Sequence, residues 1–432
     1  MANFNEHGLR HLLVNEVHAR PFERLEPPVL VSHVAMFSGE GSAEAGLAHM
    51  ATLCERMDVA PPDPGTNHFS SDFGDFRCKW ENHAEFASYS FFVRGGGEDP
   101  FVDTAIAAVP EDWLDRLPGE LLVASHLAYE PADGQDRDRQ ALNNLFSAES
   151  LAGSRVAGGH AEVWADFRLH GDGFSRILVR DMGLRARQAG RLIQRMLEIE
   201  TYRILALLSL PLAREAGPEV ADAAGMLAAI TERMPDIKGL EDEHAALGEL
   251  TELAARLERL ASRNTYRFSA SAAYYELVEK RVAAMREERI EGMQTIGEFL
   301  DRRMSPAMRT CQTMAVRQDR LAERVARTTS LLRTRVDLAM EAQNRDLLRS
   351  MDRRAKLQLR LQETVEGLSV AAISYYLVGL VGYAAKGADA AGLPVPVELV
   401  TGLSIPVVVL IVWSALQRVR RRLTRDDDVS AP

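Results

Sequence analysis

GLSVAAISYYLVGLVGYAA, residues 367–385, and LVTGLSIPVVVLIVWSALQ, residues 399–417, are two uncharged runs of 19 residues separated by a short loop. At ~1.5 Å rise per residue each run makes a helix of roughly 28 Å, the thickness of a hydrocarbon core of about 30 Å. The first run is apolar on every face, whereas a helix at the surface of a soluble core would keep a polar stripe. Tyr383 and Trp413 sit near the run ends, where interfacial aromatics belong. Pro406 falls inside the second run, a place membrane helices tolerate because neighbouring groups satisfy the freed carbonyl. The pair reads as a transmembrane hairpin spanning 367–417.

Charge orients it. Arg349, Arg353, Arg354, Lys356 and Arg360 precede the first run and Arg418, Arg420, Arg421, Arg422 and Arg425 follow the second, while the loop has Lys386 against Asp389 and Glu398. Positive charge at both outer ends places both termini in the cytoplasm and predicts a multi-pass membrane protein. The first twenty residues hold no apolar stretch of signal-peptide length. The last residues, 418–432, form a basic and then acidic cytoplasmic tail.

Upstream, residues 1–182 alternate β-rich runs with short helical segments, an α/β pattern. Strands are expected at Val29 to Phe37, Phe76 to His83, Phe86 to Val93, Leu121 to Tyr129, Ala161 to Leu169 and Phe174 to Val179. Helices are expected at Glu6 to Val17, Ala43 to Met57, Glu111 to Leu117 and Asp136 to Leu145. Over 183–304 β-branched alternation gives way to Leu, Ala, Arg, Glu and Met, and an antiparallel helical section follows, broken at Pro211, Gly217-Pro218, Pro235 and Ser305-Pro306. Residues 305–366 lack Gly and Pro after Pro306, so one stalk helix of about 60 residues, ~90 Å, leads into the first span. Leu321, Val325, Thr328, Leu332, Val336 and Ala339 step by four and three along it, the spacing of a coiled-coil seam. Either the preceding helices or a second copy would cover that seam. The expected class is therefore an α+β cytoplasmic domain, a long-helix bundle and stalk, and a C-terminal two-helix hairpin.

The net charge of −11 combines an acidic body with an Arg-rich membrane-proximal helix and tail, as suits an anionic leaflet. No basic, aromatic-interleaved patch of the nucleic-acid-binding kind is present. Cys54, Cys78 and Cys311 are widely spaced without CxxC, which predicts reduced, buried thiols. Gly95-Gly96-Gly97 lacks the Lys-Ser/Thr of a phosphate loop, and nucleophile-elbow and HExxH patterns are missing, so no enzymatic activity is expected.

The densest group of ligand-forming side chains is Glu16 and His18 in NEVHARP with Glu81, His83 and Glu85 in WENHAEF. As a continuous strand, WENHAEF would present Glu81, His83 and Glu85 on one face, a carboxylate–imidazole–carboxylate set for a ligand or a divalent cation. The plain alternative is a solvated strand face, and for HARP a helix-terminating turn. In the first span Leu368, Ala372, Tyr375, Gly379, Gly382 and Lys386 share a stripe, a candidate pore or gate lining if copies pack around an axis; close packing within the hairpin is the alternative. Lys386 would then form a positive ring at the outer mouth, and Glu366 is the acidic group at the cytoplasmic end.

In the order body, helical section, stalk, first span, short outer loop, second span and basic tail, the architecture resembles the CorA family of pentameric divalent-cation channels. That likeness implies a homo-oligomer, joined through the stalk and first transmembrane helix, that transports ions. The Gly-Met-Asn that ends the first span in that family is here Gly382-Tyr383-Ala384-Ala385-Lys386. In residues, the chain is similar to the domain of unknown function 3422 family, described as predicted bacterial membrane-anchored proteins. Asn15–Pro21 (NEVHARP), Trp80–Phe86 (WENHAEF), Gln194–Arg203 (QRMLEIETYR) and Val365–Tyr376 (VEGLSVAAISYY) carry that similarity. It implies an anchor in the bacterial inner (plasma) membrane and brings no activity, cofactor or site; a scaffold or regulatory role without transport is its counterpart to the channel.

Overall fold

In Val29–Phe37, VLVSHVAMF, apolar side chains occupy both alternating sets, so this strand, β1, must be covered on both faces. It lies inside a nine-stranded sheet with β2 (His68–Asp72), β3 (Arg77–Asn82), β4 (Phe86–Arg94), β5 (Glu120–Glu130), β6 (Ala152–Val156), β7 (Ala161–Ala165), β8 (Ser175–Asp181) and β9 (Glu288–Arg289). The order is β2-β3-β4-β1-β5-β8-β7-β6-β9. All neighbours are antiparallel except β5 and β8, which run parallel. The computed structural model describes residues 6–11, 13–14, 21–39, 43–134, 137–237, 239–391 and 396–427.

The eight helices used below are α1 (Ala43–Arg56), α2 (Glu111–Leu114), α3 (Arg139–Leu145), α4 (Ala186–Leu207), α5 (Ser209–Arg233), α6 (Leu240–Met285), α7 (Ile296–Ala390) and α8 (Val397–Asp427). Val29, Val31 and Ala35 of β1 join Leu192, Ile193 and Met196 of α4, Val278 and Met285 of α6, and Phe299, Leu300 and Met304 of α7 in one core. Leu30, Val34 and Met36 face the other way, with Met50 and Leu53 of α1, Trp113 of α2 and Leu142 and Leu145 of α3. Cys54, Cys78 and Cys311 are buried free thiols.

Two compact units divide the chain: residues 1–236 with 246–329, and residues 237–245 with 330–432. The first holds the sheet. In the second, Arg335 pairs with Glu243 at 3.0 Å, and α7 and α8 are, among the described residues, the two helices long and apolar enough to cross a bilayer. A core helix of a soluble protein would be covered, yet only 11% and 6% of their apolar windows are buried, which points to membrane association.

Several expectations need correction. Two of the expected proline breaks are absent, Pro218 lying inside α5 and Pro306 inside α7, whereas α5 does end at the turn Met234–Asp236 that holds Pro235, and Pro211 is the third residue of α5, just past the end of α4. In a first turn the missing proline N–H has no intrahelical acceptor to lose; at Pro218 and Pro306 one ladder bond is lost and burial of Val220, Met304 and Met308 holds the helix together. The helical section expected to run on from Pro235 to Ser305-Pro306 is interrupted between α6 and α7, where Glu288 and Arg289 pair with Arg155 and Ser154 to form the sheet edge. WENHAEF is not one strand, because β3 stops at Asn82 and His83 N–H donates to Phe86 O at 2.8 Å to close a hairpin turn. The seam positions Leu321, Val325, Leu332 and Val336 are all buried within the single chain, and Thr328 and Ala339 half-buried.

Candidate functional site

The hairpin turn separates the three WENHAEF ligand candidates. Glu81, the last outward-alternating residue of β3, and His83 line a cavity of about 260 Å³ between β1, β3 and β4 and the overlying α4. Glu85 instead enters a different cluster: Arg267 of α6 grips both its oxygens at 3.0 and 2.7 Å, and Tyr266 donates at 3.4 Å. With Glu85 only 1% exposed, this is a structural ion pair fixing the turn to α6. Glu16 and His18 lie outside the described residues. Among the described residues no group of three or more His, Cys, Asp or Glu side chains is placed to hold a metal ion.

The cavity draws on residues that local pattern had not singled out. Lys79, two residues before Glu81 and so on the same strand face, is 5% exposed; its ammonium lies 3.0 Å from Glu81 and donates to Gln194 Oε1 at 3.3 Å. Gln194 Nε2 passes the chain on to Glu198 Oε1 at 2.9 Å, and Arg281 of α6 binds the other Glu198 oxygen. Gln194 and Glu198 are one turn apart on α4, so both point into the same space. Two ion pairs, Lys79–Glu81 from the sheet and Glu198–Arg281 from the helices, are thus bridged by one amide. A charge as buried as Lys79 is tolerable only because it is paired and hydrogen-bonded.

Beneath this network runs a buried polar row. Register aligns Lys79 with Ser90, Ser90 with His33, His33 with Ser125, and Ser125 with Ser175, across five strands. Thr201 Oγ1 of α4 donates to Leu197 O at 2.9 Å, so toward His33 Nε2, 3.0 Å away, it accepts. The imidazole proton is therefore on Nε2, and Nδ1 accepts from Ser90 Oγ at 2.8 Å. Burial, and secondarily the Lys79 ammonium, hold the His33 pKa down at about 3, so the ring is neutral and fixed. Leu25, Phe86, Phe92, Ile193 and Leu197 supply apolar walls. Cavities with apolar walls and a few convergent ionised groups are where small molecules bind.

The pore-stripe residues are arranged otherwise. Tyr375 and Tyr383 are 79% and 75% exposed, Gly379 and Lys386 also face outward, and Glu366 is half-buried. Gly382 turns toward the partner helix of the hairpin, where an added Cβ would meet Thr401 at 3.6 Å. Ser374 and Ala385 are the buried positions of the first span and Val412 that of the second. The stripe is therefore split between the hairpin's own seam and its outer face.

Trp80–Phe86 and Gln194–Arg203, two of the segments that carry the family similarity, face each other across the cavity. No curated protein and no solved structure matches the chain. A family model described as protein of unknown function (DUF3422) matches residues 5–423, and the chain belongs to that family.

Proposed function

We propose that this is a membrane-anchored regulatory protein whose α+β unit binds a small zwitterionic molecule, and whose stalk and hairpin hold it, as a homo-oligomer, at the inner face of a bacterial membrane. The observation that carries the reading is the pair of bridged ion pairs in one cavity. Lys79 and Arg281 offer cationic donors, Glu81 and Glu198 offer carboxylates, and each is already balanced by a neighbour. A ligand with a single net charge would leave one protein charge uncompensated in a half-buried space, whereas a zwitterion exchanges two protein pairs for two ligand pairs. At about 260 Å³ the space falls just under the ~300 Å³ where drug-sized pockets begin, which suits an amino acid or a comparably small zwitterion. We propose binding rather than turnover, since Lys79, Glu81, Glu198 and Arg281 at the cavity wall are already paired or bridged to one another.

Isothermal titration of the purified full-length protein with a panel of amino acids, against their amides and N-acetyl derivatives, tests this. The free zwitterion should bind saturably and lose at least tenfold in affinity in Lys79→Met and in Arg281→Gln. Equal binding of a singly charged derivative would reject the reading.

Ion conduction is the second reading. It is favoured by the outward row Leu368, Ala372, Tyr375 and Gly379, which leads to Lys386 on the exposed side of the first span. A symmetric assembly would bring that row together, with Lys386 favouring anions at the mouth. Flux through proteoliposomes that changes on Lys386→Glu or Glu366→Gln supports conduction; ion-tight proteoliposomes leave the hairpin as an anchor.

A further inference from the structure

A second cavity, of about 390 Å³, opens on the same face of the sheet but away from the first, beside the loop that follows β7. Asp166, fully buried at the end of that strand, accepts from the backbone N–H of Ser147 at 2.9 Å and of Arg168 at 3.3 Å, and pairs with His170 at 3.0 Å. This anchors the loop and holds Phe167 at φ +57°, a conformation that is costly for an aromatic residue. Its ring stacks on Phe299 of α7 at 5.0 Å. Arg203 lies over Phe167 at 5.3 Å and Arg303 over Phe299 at 3.8 Å. Two guanidiniums thus accompany one ring pair.

The donors here exceed the acceptors. Arg203 spends Nε and Nη2 on a single oxygen of Glu200, at 3.0 and 2.6 Å, and keeps Nη1. Arg303 has no carboxylate partner among the described residues, and a guanidinium stacked face-on to a ring keeps its in-plane N–H donors available. Arg168 gives one nitrogen to Ser147 Oγ at 3.0 Å. Ser150 Oγ, on a residue 8% exposed that lines the cavity, has no hydrogen-bond partner among the described residues. A buried hydroxyl without a partner is destabilising unless something else occupies the position. The nearby carboxylates do not answer these donors: Asp166 is committed to its three bonds, Glu149 is exposed at the rim, and Glu200 gives Arg203 one oxygen while its other, buried and unpartnered among the described residues, belongs to a side chain that does not line the cavity. Leu207, Leu300 and Met304 form the remaining wall.

We infer that this cavity is a binding site for a small oxyanion carried on an apolar body, its oxygens taken by Arg303, Arg203 Nη1 and Ser150 Oγ and its apolar part laid against Leu300 and Met304. It is separate from the zwitterion site and shares no lining residue with it. Titrating the full-length protein in detergent with hexanoate, hexyl phosphate, hexanamide and acetate tests it, the first two showing which oxyanion is preferred. One of them should bind saturably, with hexanamide and acetate at least tenfold weaker. Affinity should fall at least tenfold in Arg303→Gln, an exposed position that leaves the core intact, and about threefold in Ser150→Ala, while Arg281→Gln in the first cavity changes nothing. Absence of saturable binding by both oxyanions, equal binding of hexanamide, or binding that persists in Arg303→Gln would overturn the inference.

Discussion

His33 shows what a buried polar side chain does to the stability of this fold. Its pKa lies at about 3, and that of His126 on the opposite face at about 4, lowered by burial and by Arg176 against the opposing pull of Asp172. Between pH 6.5 and about 4 the unfolded chain binds protons at both histidines and the native chain does not, so stability is full above 6.5 and falls as pH drops. Each group contributes a slope of about 1.4 kcal/mol per pH unit in that window. His33→Gln should remove one such slope, visible as a shallower acid dependence in denaturant unfolding between pH 4.5 and 7; an unchanged slope would refute the assignment. At this scale the sequence was only partly legible. Glu81 and His83 stood out because ligand-type residues are dense there, but Glu85 was lost to a two-residue turn that alternation alone does not foresee. Lys79, Gln194, Glu198 and Arg281 were missed because their contacts join positions 115 and 83 residues apart. The available signal was a serine or histidine inside each apolar strand, at Ser90, His33 and Ser125, where polar groups pay for burial only in company.

Among the elements, α4 decides whether the cavity exists, since it bears Gln194, Glu198 and Thr201. Its distance from the segment before β1 is set by Gly190, where an added Cβ would lie 1.7 Å from the carbonyl oxygen of Glu23 and 2.9 Å from its carbon. That neighbour is backbone and cannot rotate away. It is also tied down, because Leu25 N–H donates to Ala186 O at 3.2 Å. Gly190→Ala must therefore push α4 off the sheet, with an expected loss of about 1–3 kcal/mol or more in unfolding free energy and of at least tenfold in affinity for the zwitterion. Wild-type stability and binding in this variant would show the contact to be loose. Element identity was the most readable level: Val29–Phe37 was foreseen residue for residue, and α1, β4, β5 and β8 to within a few residues. The misses were β2, whose HFSSD lacks an apolar run, β6 in AGSRV, and β9, two residues long. Each is specified by the neighbour it pairs with rather than by its own composition.

For the whole molecule, the stalk asks what covers it. The buried seam ends near Ala339, and beyond it a second row steps by four and three through Met340, Asn344, Leu347, Met351, Arg354, Gln358, Leu361 and Val365. Its apolar members are bare in the single chain: Leu347 is 60% exposed, Met351 59%, Leu361 69% and Val365 58%. Isolated helices gain most of their stability from burying such a face, so a helix left uncovered over this length calls for a partner. If copies are anchored by the hairpin in one bilayer, as proposed above, they lie parallel, which would bring Asn344 opposite Asn344 and Gln358 opposite Gln358, pairs that hydrogen-bond only in register. Arg354 is accommodated if its long stem carries the guanidinium past the seam. A second copy would therefore satisfy both the apolar and the polar members of the row. Light scattering of the detergent-solubilised protein should give a multiple of 47.8 kDa, reduced to one copy in Leu347→Glu/Leu361→Glu. Zwitterion binding should survive in that variant, because the cavity lies wholly within the first unit. A wild-type monomer, or an assembly indifferent to both charges, would leave the row facing something other than its own copy.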